Sequence, residues 1–504
     1  MLKIRRALIS VWDKKGIVEF VRNLVSFKVG IISTGKTASL LRKKGIDAKD
    51  VSSITSYPAI LSERVKTLHP KIFGAILANK KHPLHMEEIK SLKIDPIDMV
   101  VCNLYPFKEK LKENLILDDL LEYIDIGGVS LLRAAAKNFK NVACVSNPSQ
   151  YRMVLEELEK NNGFLKEDTL KKLAADAFYI TKEYDNCIYH YFKGKEILSL
   201  NLELVKPLHY GENPHQDAYL YKKINGRQLN FNQIQGKELS YNNFLDAEVA
   251  LECVKEFEGP AVSIVKHGSL CGIGIDKKLV SAYKKAYKVD SVSSFGAILG
   301  LNKKVDKETA YQIVKTGFKE CIVAPSYSKE ALRIFSSKKR LRVLEVDFQK
   351  DIEDFQIRNT LFGYLMQDKD RITLDESKVK VVTKAKPTQR QLKDLFFAWK
   401  VVKFVKSNAI VIVKNLAVLG IGGGQPSRVG ALKEAISKSI KSCKGAVVAS
   451  DGFFPKEDSI AIASKYGIKA IIQPGGSIKD KDIIDLCNRK KIAMVFTGIR
   501  HFRH

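Results

Sequence analysis

The sequence has no apolar run long enough to cross a membrane. A membrane-spanning helix needs roughly 18–20 consecutive apolar residues, and no uncharged stretch of this 504-residue chain reaches that length. The first ten residues carry Lys3, Arg5 and Arg6 but no apolar segment long enough for a signal peptide. We therefore expect a soluble, cytoplasmic protein with no membrane partner.

Closely spaced cysteines are also missing. The eight cysteines lie far apart and form no CxxC pair, which excludes the common zinc-ligand spacings and a disulfide framework. We expect buried, reduced thiols and no requirement for a metal.

Acidic residues are scarce relative to basic ones: 56 Asp and Glu oppose 85 Lys and Arg, for a net charge of +29. Only 18 of the basic residues are Arg, and the lysines are spread over the whole chain. Recognition of bases and phosphates favours the Arg fork, whereas dispersed lysines are typical of a solvated surface. The charge therefore favours an enzyme acting on anionic metabolites over a nucleic-acid-binding protein.

The length predicts two or three domains. In the first 195 residues, strand-like runs alternate with amphipathic helical segments, which predicts an α/β domain with a parallel sheet. The strands are expected at 7–11, 29–32, 99–104 and 142–145, and the helices at 17–24, 38–44, 129–137 and 151–160.

Periodicity is lost over residues 193–207, which predicts two domains, 1–198 and 199–504. The second part again mixes strands and helices, and its size predicts two subdomains. Strands are expected at 261–265, 322–324, 446–449, 470–472 and 493–496, and helices at 388–406 and 459–466.

Three segments of the first part carry polar side chains suited to an anion. STGKT (33–37) follows a strand and opens a helix, which suits a phosphate or an ordinary helix cap. RVKTLHP (64–70) is either an anion site or a solvated basic loop. NLYPF (103–107) ends a strand, and DIGG (125–128) leads into a helix with Arg133 and Lys137 on one face.

In the second part, adjacent Lys266 and His267 end an apolar strand. A cation beside a group that exchanges protons near neutral pH suits acyl transfer. The glycines at 420–424 only half fit a dinucleotide fingerprint, so we reject a Rossmann interpretation. The terminal RHFRH is either a frayed end or a tail that packs near Lys266 and adds cations to an anion site.

Taken together and in order, these segments resemble the bifunctional purine-biosynthesis family that combines AICAR transformylase with IMP cyclohydrolase. The resemblance covers essentially the whole chain and rests on RVKTLHP, NLYPF, DIGG, RAAAKN, YGENPHQ, LSYNN, FAWKVVK, VKSNAI, IQPGGSI, AMVFTG and RHFRH. It implies an N-terminal cyclohydrolase domain with a methylglyoxal-synthase-like parallel sheet. It also implies a C-terminal transformylase of two cytidine-deaminase-like subdomains, here without zinc.

The resemblance implies formyl transfer from 10-formyltetrahydrofolate, a co-substrate, to AICAR, followed by closure of the product FAICAR to IMP with loss of water. The partners implied are these nucleotide and folate substrates and a second copy of the chain, in a homodimer with transformylase sites near the interface. Two alternatives stay open. One activity alone could survive, because Trp12, Lys36, His209 and Leu270 depart from the family pattern. The chain could also be a basic nucleotide- or RNA-binding protein derived from the enzyme.

The resemblance also implies residue roles. In the transformylase, His267 would handle the proton of the attacking amine, Lys266 would stabilise developing charge and Asn408 would orient the reacting groups. The AICAR positions would be His209, Tyr210, Gly296, Glu320, Phe453 and Arg500, and the folate positions Val429, Asp458, Ser477 and Ile478. In the cyclohydrolase, ring closure would use Lys66, Tyr105, Asp125 and Lys137, with Lys137 as the proton donor or acceptor. The nucleotide site would be lined by Lys14, Ser33, Thr34, Lys36, Thr37, Arg64, Thr67, Cys102, Asn103 and Ile126.

Overall fold

The computed structural model describes residues 1–194, 197–224, 226, 230–348, 355–439 and 442–504. The chain divides into two compact units, Met1–Ser199 and Leu200–His504. Each unit is described by itself.

The first unit contains a five-stranded parallel sheet with helices packed on it. The strands of the unit are β1 (Leu2–Lys3), β2 (Arg6–Val11), β3 (Gly30–Ser33), β4 (Ala48–Asp50), β5 (Met99–Asn103), β6 (Ala143–Val145) and β7 (Phe164–Leu165). Its helices are α1 (Ile17–Ser26), α2 (Gly35–Lys43), α3 (Val51–Thr55), α4 (Pro70–Leu77), α5 (Pro83–Ser91), α6 (Phe107–Lys110), α7 (Leu117–Leu121), α8 (Gly127–Lys137), α9 (Tyr151–Lys160) and α10 (Glu167–Lys193). The predicted parallel α/β arrangement is confirmed.

The strand order of this sheet is β4-β3-β2-β5-β6. β2 is paired in parallel with β3 on one side and with β5 on the other, so the direction of the chain connections reverses at β2. In open parallel sheets, ligands bind outside the carboxyl ends of the strands at this reversal point. The fold therefore predicts a site beside the ends of β2, β3 and β5.

The second unit is built on one twelve-stranded mixed sheet and two exposed hairpins. Its strands are β8 (Leu202–Pro207), β9 (Tyr219–Lys223), β10 (Phe231–Gln235), β11 (Ala261–Lys266), β12 (Ser269–Ile275), β13 (Ile298–Leu301), β14 (Cys321–Ala324), β15 (Arg342–Val346), β16 (Phe355–Thr360), β17 (Gly363–Asp368), β18 (Lys380–Val381), β19 (Ile410–Lys414), β20 (Ala417–Gly422), β21 (Val447–Ser450), β22 (Ala470–Gln473) and β23 (Ala493–Phe496). Its helices are α11 (Tyr241–Lys255), α12 (Leu279–Val289), α13 (Lys307–Lys315), α14 (Lys329–Ser336), α15 (Gln389–Val402), α16 (Arg428–Ser437), α17 (Asp458–Lys465) and α18 (Asp480–Lys490).

This sheet consists of two similar halves that meet where β12 pairs with β20. The strand order is β10-β15-β14-β13-β11-β12-β20-β19-β21-β22-β23-β18. Each half has a helix, an antiparallel hairpin, a second helix and then parallel strands. The duplication is structural, since no repeat of fixed period is visible in the sequence.

Glycines at equivalent positions of the two hairpins, β11–β12 and β19–β20, also show that the two halves of the sheet correspond. A Cβ on Gly272 or Gly274 would lie 2.2 Å from a carbonyl oxygen of α12, and a Cβ on Gly420 or Gly422 would lie 2.0 Å from one of α16. These glycines therefore allow a helix to lie directly on a hairpin. Two glycines of the run at 420–424, Gly420 and Gly422, are thus explained by helix packing on β20, which accords with rejecting a dinucleotide fingerprint.

One expected element is shorter than the sequence pattern suggested. The pattern predicts a helix over 388–406, but α15 ends at Val402, although Phe404 and Val405 are also buried. The apolar pattern continues past the helix because these residues pack in the core as irregular backbone. Ending the helix there delivers Lys406, Ser407 and Asn408 to the edge of the sheet.

Three features of composition have structural counterparts. All eight cysteines are free and six of them are buried. In the described ranges, no helix is both long and apolar enough to span a bilayer. Within those same ranges, no group of three or more His, Cys, Asp or Glu side chains could hold a metal ion.

Candidate active sites

In the first unit, the start of α2 is the strongest anion-binding feature. The hydroxyls of Ser33 and Thr37 donate to the carbonyls of Ile9 (2.8 Å) and Val11 (3.1 Å), and the N-cap residue Thr34 makes no side-chain capping bond. The sequence left a phosphate site and an ordinary cap as alternatives for STGKT. Without a side-chain cap, the first-turn N–H groups of α2 suit an anion.

Several cations lie around this helix start. Burial lowers the pKa of Lys14, and the nearby charges of Lys36 and Lys66 lower it further. The Lys66 ammonium lies 3.4 Å from a carboxylate oxygen of Glu63. A Cβ on Gly35, the first residue of α2, would lie 3.2 Å from that same oxygen. The Glu63 carboxylate thus lies beside both the start of α2 and the Lys66 ammonium.

Lys66, Tyr105 and Asp125 lie together beside this cation group. Asp125 accepts a 2.6 Å hydrogen bond from the N–H of Gly128 and lies near the backbone of Tyr105 and near Lys66. Burial raises the pKa of Asp125. Burial, followed by the charge of Asp125, raises the pKa of Tyr105. A carboxyl, a phenol and an ammonium in one place can take up and return protons.

The backbone fixes this cluster in position. The N–H of Asp125 donates to the Tyr184 hydroxyl (2.8 Å), which donates to the carbonyl of Tyr123 (2.6 Å). A Cβ on Gly128 would lie 2.3 Å from the Asp125 carboxylate. Only glycine therefore lets the start of α8 approach that carboxylate so closely.

The other residues expected at this site have varied surroundings. Asn103 uses its amide within the fold, accepting from the N–H groups of Trp12 (2.6 Å) and Asp13 (2.9 Å). Burial raises the pKa of the Cys102 thiol well above its ordinary value, so this side chain is an uncharged packing group. Thr67 is buried against Gly127, Arg64 pairs with Glu122, and Ile126 is exposed.

Two residues of this unit differ from the simplest expectation. Lys137 ends α8. A rise of 1.5 Å per residue places it roughly 15 Å along the helix from Gly127, beside Asp125. The structure therefore brings Lys66, Tyr105 and Asp125 together and leaves Lys137 at the far end of α8. The Trp12 indole packs 4.9 Å from the ring of Tyr105 and 5.9 Å from that of Tyr123.

In the second unit, the expected site residues gather along one edge of the twelve-stranded sheet. β11 ends at this edge, and its antiparallel neighbour β13 begins there. β19 begins at the same edge, where its antiparallel neighbour β21 ends, followed by the parallel strands β22 and β23. Residues from both halves of the unit therefore share one edge.

Lys266 and His267 form the turn between β11 and β12 at this edge. The Lys266 ammonium donates to the carbonyl of Phe295 (2.8 Å), next to Gly296. His267 is exposed and has a left-handed backbone (φ 54°). A cavity of about 250 Å³ beside the turn is lined by Lys266, His267, Asp290 and Ser293 of the first half and by Ile421 and Lys438 of the second.

Asn408 belongs to a buried polar network at the same edge. Its amide oxygen accepts from Arg428 (2.8 Å), and its amide nitrogen donates to the carbonyl of Gln425 (2.9 Å). Arg428 also pairs with Asp451, which accepts from the hydroxyl of Ser407. Both amide ends of Asn408 are thus held, and its orientation is fixed.

The C-terminal tail packs against this network. The N–H of His501 donates to the carbonyl of Asp451 (3.0 Å), and Ser407 and Arg503 exchange two further bonds. The sequence left a frayed end and a tail packed near Lys266 as alternatives; in the structure the tail is packed, and its bonds are to Ser407 and Asp451. The ammonium of Lys406 lies 3.3 Å from where a Cβ on Gly268 would stand, which links the network to the Lys266–His267 turn.

The remaining expected residues lie in segments around this edge. His209 is exposed beside the ring of Tyr210, and Glu320 pairs with Arg342. Val429 follows Arg428 in α16, and Asp458 opens α17. Phe453, Ile478 and Arg500 are exposed in the loops after β21, β22 and β23, and Ser477 lies in the loop after β22.

Comparisons with known proteins show the family of this chain. A sequence model of the AICARFT/IMPCHase bienzyme family matches residues 135–438, and one of the MGS-like domain matches residues 16–130. The chain belongs to the AICARFT/IMPCHase bienzyme family. It is 48% identical to the bifunctional purine biosynthesis protein PurH of Caldicellulosiruptor bescii and 46% identical to that of Caldicellulosiruptor saccharolyticus. Each alignment covers 99% of this chain and 100% of the relative.

Among solved structures, the crystal structure of ForH is 30% identical, with a TM-score of 0.35. It matches 38% of this chain and 97% of that one. The family membership predicted from the motifs is confirmed, and with it an N-terminal MGS-like domain in a mixed α/β chain.

Sequence reasoning missed several residues at the sites of this bienzyme-family chain. Among these residues, Asp246 and Asp451 have partners more than 20 residues away in the sequence, whereas Glu63 pairs locally with Lys66. Asp246 carried a usable signal, because it interrupts the apolar face of α11 and is only 8% exposed. Lys406 stood in the VKSNAI motif, but nothing in its spacing indicated proximity to Gly268.

Proposed function

We propose that this chain is a bifunctional purine-biosynthesis enzyme whose second unit formylates AICAR and whose first unit closes FAICAR to IMP. The observation that carries the proposal is that each unit of this AICARFT/IMPCHase-family chain contains its own cluster of polar side chains. Lys66, Tyr105 and Asp125 form the first cluster. Lys266, His267 and the Asn408 network form the second.

For ring closure, the carboxamide nitrogen of FAICAR attacks the formyl carbon, and a new C–N bond forms. The formyl oxygen becomes an alkoxide, takes up two protons in turn and leaves as water, while the carboxamide nitrogen and the formamide nitrogen each lose one proton. Lys66 would stabilise the developing oxyanion. Asp125 and Tyr105 would exchange the protons, and the start of α2 with Lys14 and Lys36 would hold the 5′-phosphate. Lys137 is proposed here only as a more distant proton donor or acceptor.

For formyl transfer, the 5-amino nitrogen of AICAR attacks the formyl carbon of 10-formyltetrahydrofolate. A new C–N bond forms, the bond to the folate nitrogen breaks, and that nitrogen gains a proton. His267 would accept the proton of the attacking amine, and Lys266 would stabilise the oxyanion. Asn408, held by Arg428 and Gln425, would orient the reacting groups. Val429, Asp458 and the loop after β22 would bind the folate, whereas Phe453 and Arg500, in the loops after β21 and β23, would contact AICAR.

Measuring the two half-reactions separately on the full chain tests this division. Asp125→Asn should lower closure of purified FAICAR by roughly 10²–10⁴, because the amide cannot accept a proton. AICAR formylation should stay near the wild-type rate. Equal losses in both half-reactions would contradict the assignment of one reaction to each unit.

The same variant should alter stability with a defined dependence on pH. Burial raises the pKa of Asp125 in the folded protein. The stability that this carboxyl contributes is therefore fully present below its pKa in the unfolded chain and is lost as pH rises through its pKa in the folded protein. The amide side chain introduced by the substitution carries no charge at any pH. The difference in thermal midpoint, Asp125→Asn minus wild type, should therefore be more positive at pH 7 than at pH 4, as measured by calorimetry.

We also infer that the enzyme acts as a homodimer. The hairpin β8–β9 exposes Leu204 and Tyr221 as a directly opposed pair, and β16–β17 exposes Tyr364 and Leu365. Two-stranded hairpins are marginally stable alone, and exposed apolar faces of this kind are typical of protein interfaces. A second copy of the chain is the occupant we propose.

Leu204→Asp should shift the chain from dimer to monomer in sedimentation at micromolar concentration, since a charge would be buried without a partner. Leu92→Asp, at another exposed leucine on the first unit, is the control and should leave the mass unchanged. A wild-type chain that sediments as a monomer would refute the homodimer.

A further inference from the structure

Beneath the Lys266–His267 turn lies a buried carboxylate that the proposed chemistry does not use. Asp246 lies on α11 and is 8% exposed. One of its oxygens accepts from the N–H of His267 (3.0 Å), and the other accepts from the N–H of Gly268 (2.5 Å). Both oxygens of one side chain are therefore committed to the backbone of the turn.

The turn needs such support because of its backbone conformation. His267 and Gly268 have φ values of 54° and 69°, both left-handed. Two consecutive positive φ values are typical of a tight hairpin turn and favour Asn or Gly over His. The two hydrogen bonds that Asp246 accepts, from His267 and Gly268, hold the backbone of the turn whose imidazole must meet the substrate accurately.

The second half of the unit contains a corresponding aspartate-supported turn, in which no histidine is present. Asp394 on α15 is 4% exposed. Its oxygens accept from the N–H groups of Asn415 (2.8 Å) and Leu416 (2.6 Å), whose φ values are 58° and 54°. The preceding lysines also correspond: Lys266 and Lys414 each donate to a loop carbonyl at 2.8 Å.

The turns held by Asp246 and Asp394 lie at opposite edges of the sheet. β11 runs toward the edge that carries the Asn408 network, and β19 begins at that edge and runs away from it. The turn held by Asp394 is therefore remote from the proposed transformylase site. The scaffold is shared, and only the first copy presents a group that can transfer a proton.

We propose that Asp246 is a positioning residue for formyl transfer, acting through the backbone of the turn to place His267 against the attacking amine of AICAR. The inference rests on the proposed role of His267 in the second unit. Asp394 supplies a control within the same chain, because it makes the same bonds to a turn that has no part in the reaction.

The test compares Asp246→Asn with Asp394→Asn in the full chain. An amide has one acceptor oxygen, so each variant loses one of the two turn bonds. Asp246→Asn should lower kcat for AICAR formylation by about 10–100-fold, the effect of misplacing a reacting group by roughly 1 Å. Its KM for AICAR should change by less than about threefold, because a displaced proton acceptor weakens the transition state more than substrate binding.

Asp394→Asn should shift the thermal midpoint as much as Asp246→Asn and leave formylation within about twofold of wild type. FAICAR closure should be unchanged in both variants. Asp246→Glu, which keeps two acceptor oxygens, should retain more formylation than Asp246→Asn. If the two asparagine variants lose formylation equally, the positioning role is overturned and only a structural role is left.

A double variant separates this inference from the function on which it rests. If Asp246 acts through His267, adding Asp246→Asn to His267→Ala should lower formylation no further. Multiplying losses would overturn the inference. If His267→Ala alone leaves formylation unchanged, the proposed role of His267 fails instead.

Discussion

His267→Ala is expected to lower AICAR formylation by roughly 10²–10⁴, the usual range for loss of a general base. The imidazole lies on an exposed turn at the sheet edge, beside Lys266 and a cavity lined from both halves of the unit. Alanine removes the imidazole proposed to accept the proton of the attacking amine. Steady-state formylation with 10-formyltetrahydrofolate measures the effect.

The duplication supplies the control for this variant. Asn415 occupies the corresponding turn position in the second half and has the same left-handed backbone. Asn415→Ala should therefore cause a similar loss of stability and leave formylation intact. Closure of FAICAR should not respond to either change. A loss of closure in His267→Ala as large as its loss of formylation would contradict a role confined to the second unit.

Arg428→Met is expected to destabilise the second unit by about 3–5 kcal/mol, the cost of leaving one member of a buried ion pair without its partner. Arg428 is 6% exposed and Asp451 is fully buried. Methionine fills part of the volume but provides no donor for Asp451, for Ser450 or for the amide of Asn408. Calorimetry of the full chain should show a lower unfolding temperature, and formylation should fall because Asn408 is released.

An exposed ion pair provides the comparison. Arg489 and Glu457 pair at 3.3 Å, with both side chains largely in solvent, so Arg489→Met should leave the unfolding temperature unchanged. Adding Asp451→Leu to Arg428→Met should recover part of the lost stability, because the unpaired charge is removed. If the double variant is less stable than the single one, the buried charge is not the cause of the loss.

Local patterns in the sequence determined much of the fold. The strands at 7–11, 29–32 and 99–104 form in the structure within one residue of those bounds. Apolar β-branched runs specify buried parallel strands on their own, because both faces of such a strand are covered. The helix over 388–406 was too long, since burial continues beyond Val402 while the hydrogen-bonded helix stops. The apolar periodicity of the sequence indicates which residues are buried, but it does not indicate where the backbone stops being helical.

Motif order likewise determined the family, because each motif is a contiguous string that can be read without knowing the fold. The alternatives it left open were about surroundings. A Ser-Thr-Gly segment at a helix start reads the same whether its hydroxyls cap the helix or bond a neighbouring strand. The bonds from Ser33 and Thr37 to Ile9 and Val11 span 24 and 26 residues, so only the folded chain shows that these hydroxyls bond the neighbouring strand and do not cap α2.

What the sequence by itself determined is the family, the strands and helices with strong periodicity, and a set of candidate site residues. What only the tertiary structure decided is which of these residues meet. Asp246 holds a turn 21 residues away, Arg428 joins Asn408 to Asp451, and the chain end packs on Ser407. Asp125 and Lys137 belong to consecutive motifs, but Asp125 lies just before the start of α8 and Lys137 lies at its C-terminal end. Hydrogen bonds and ion pairs act over about 3 Å in space, and distance along the chain does not encode distance in space.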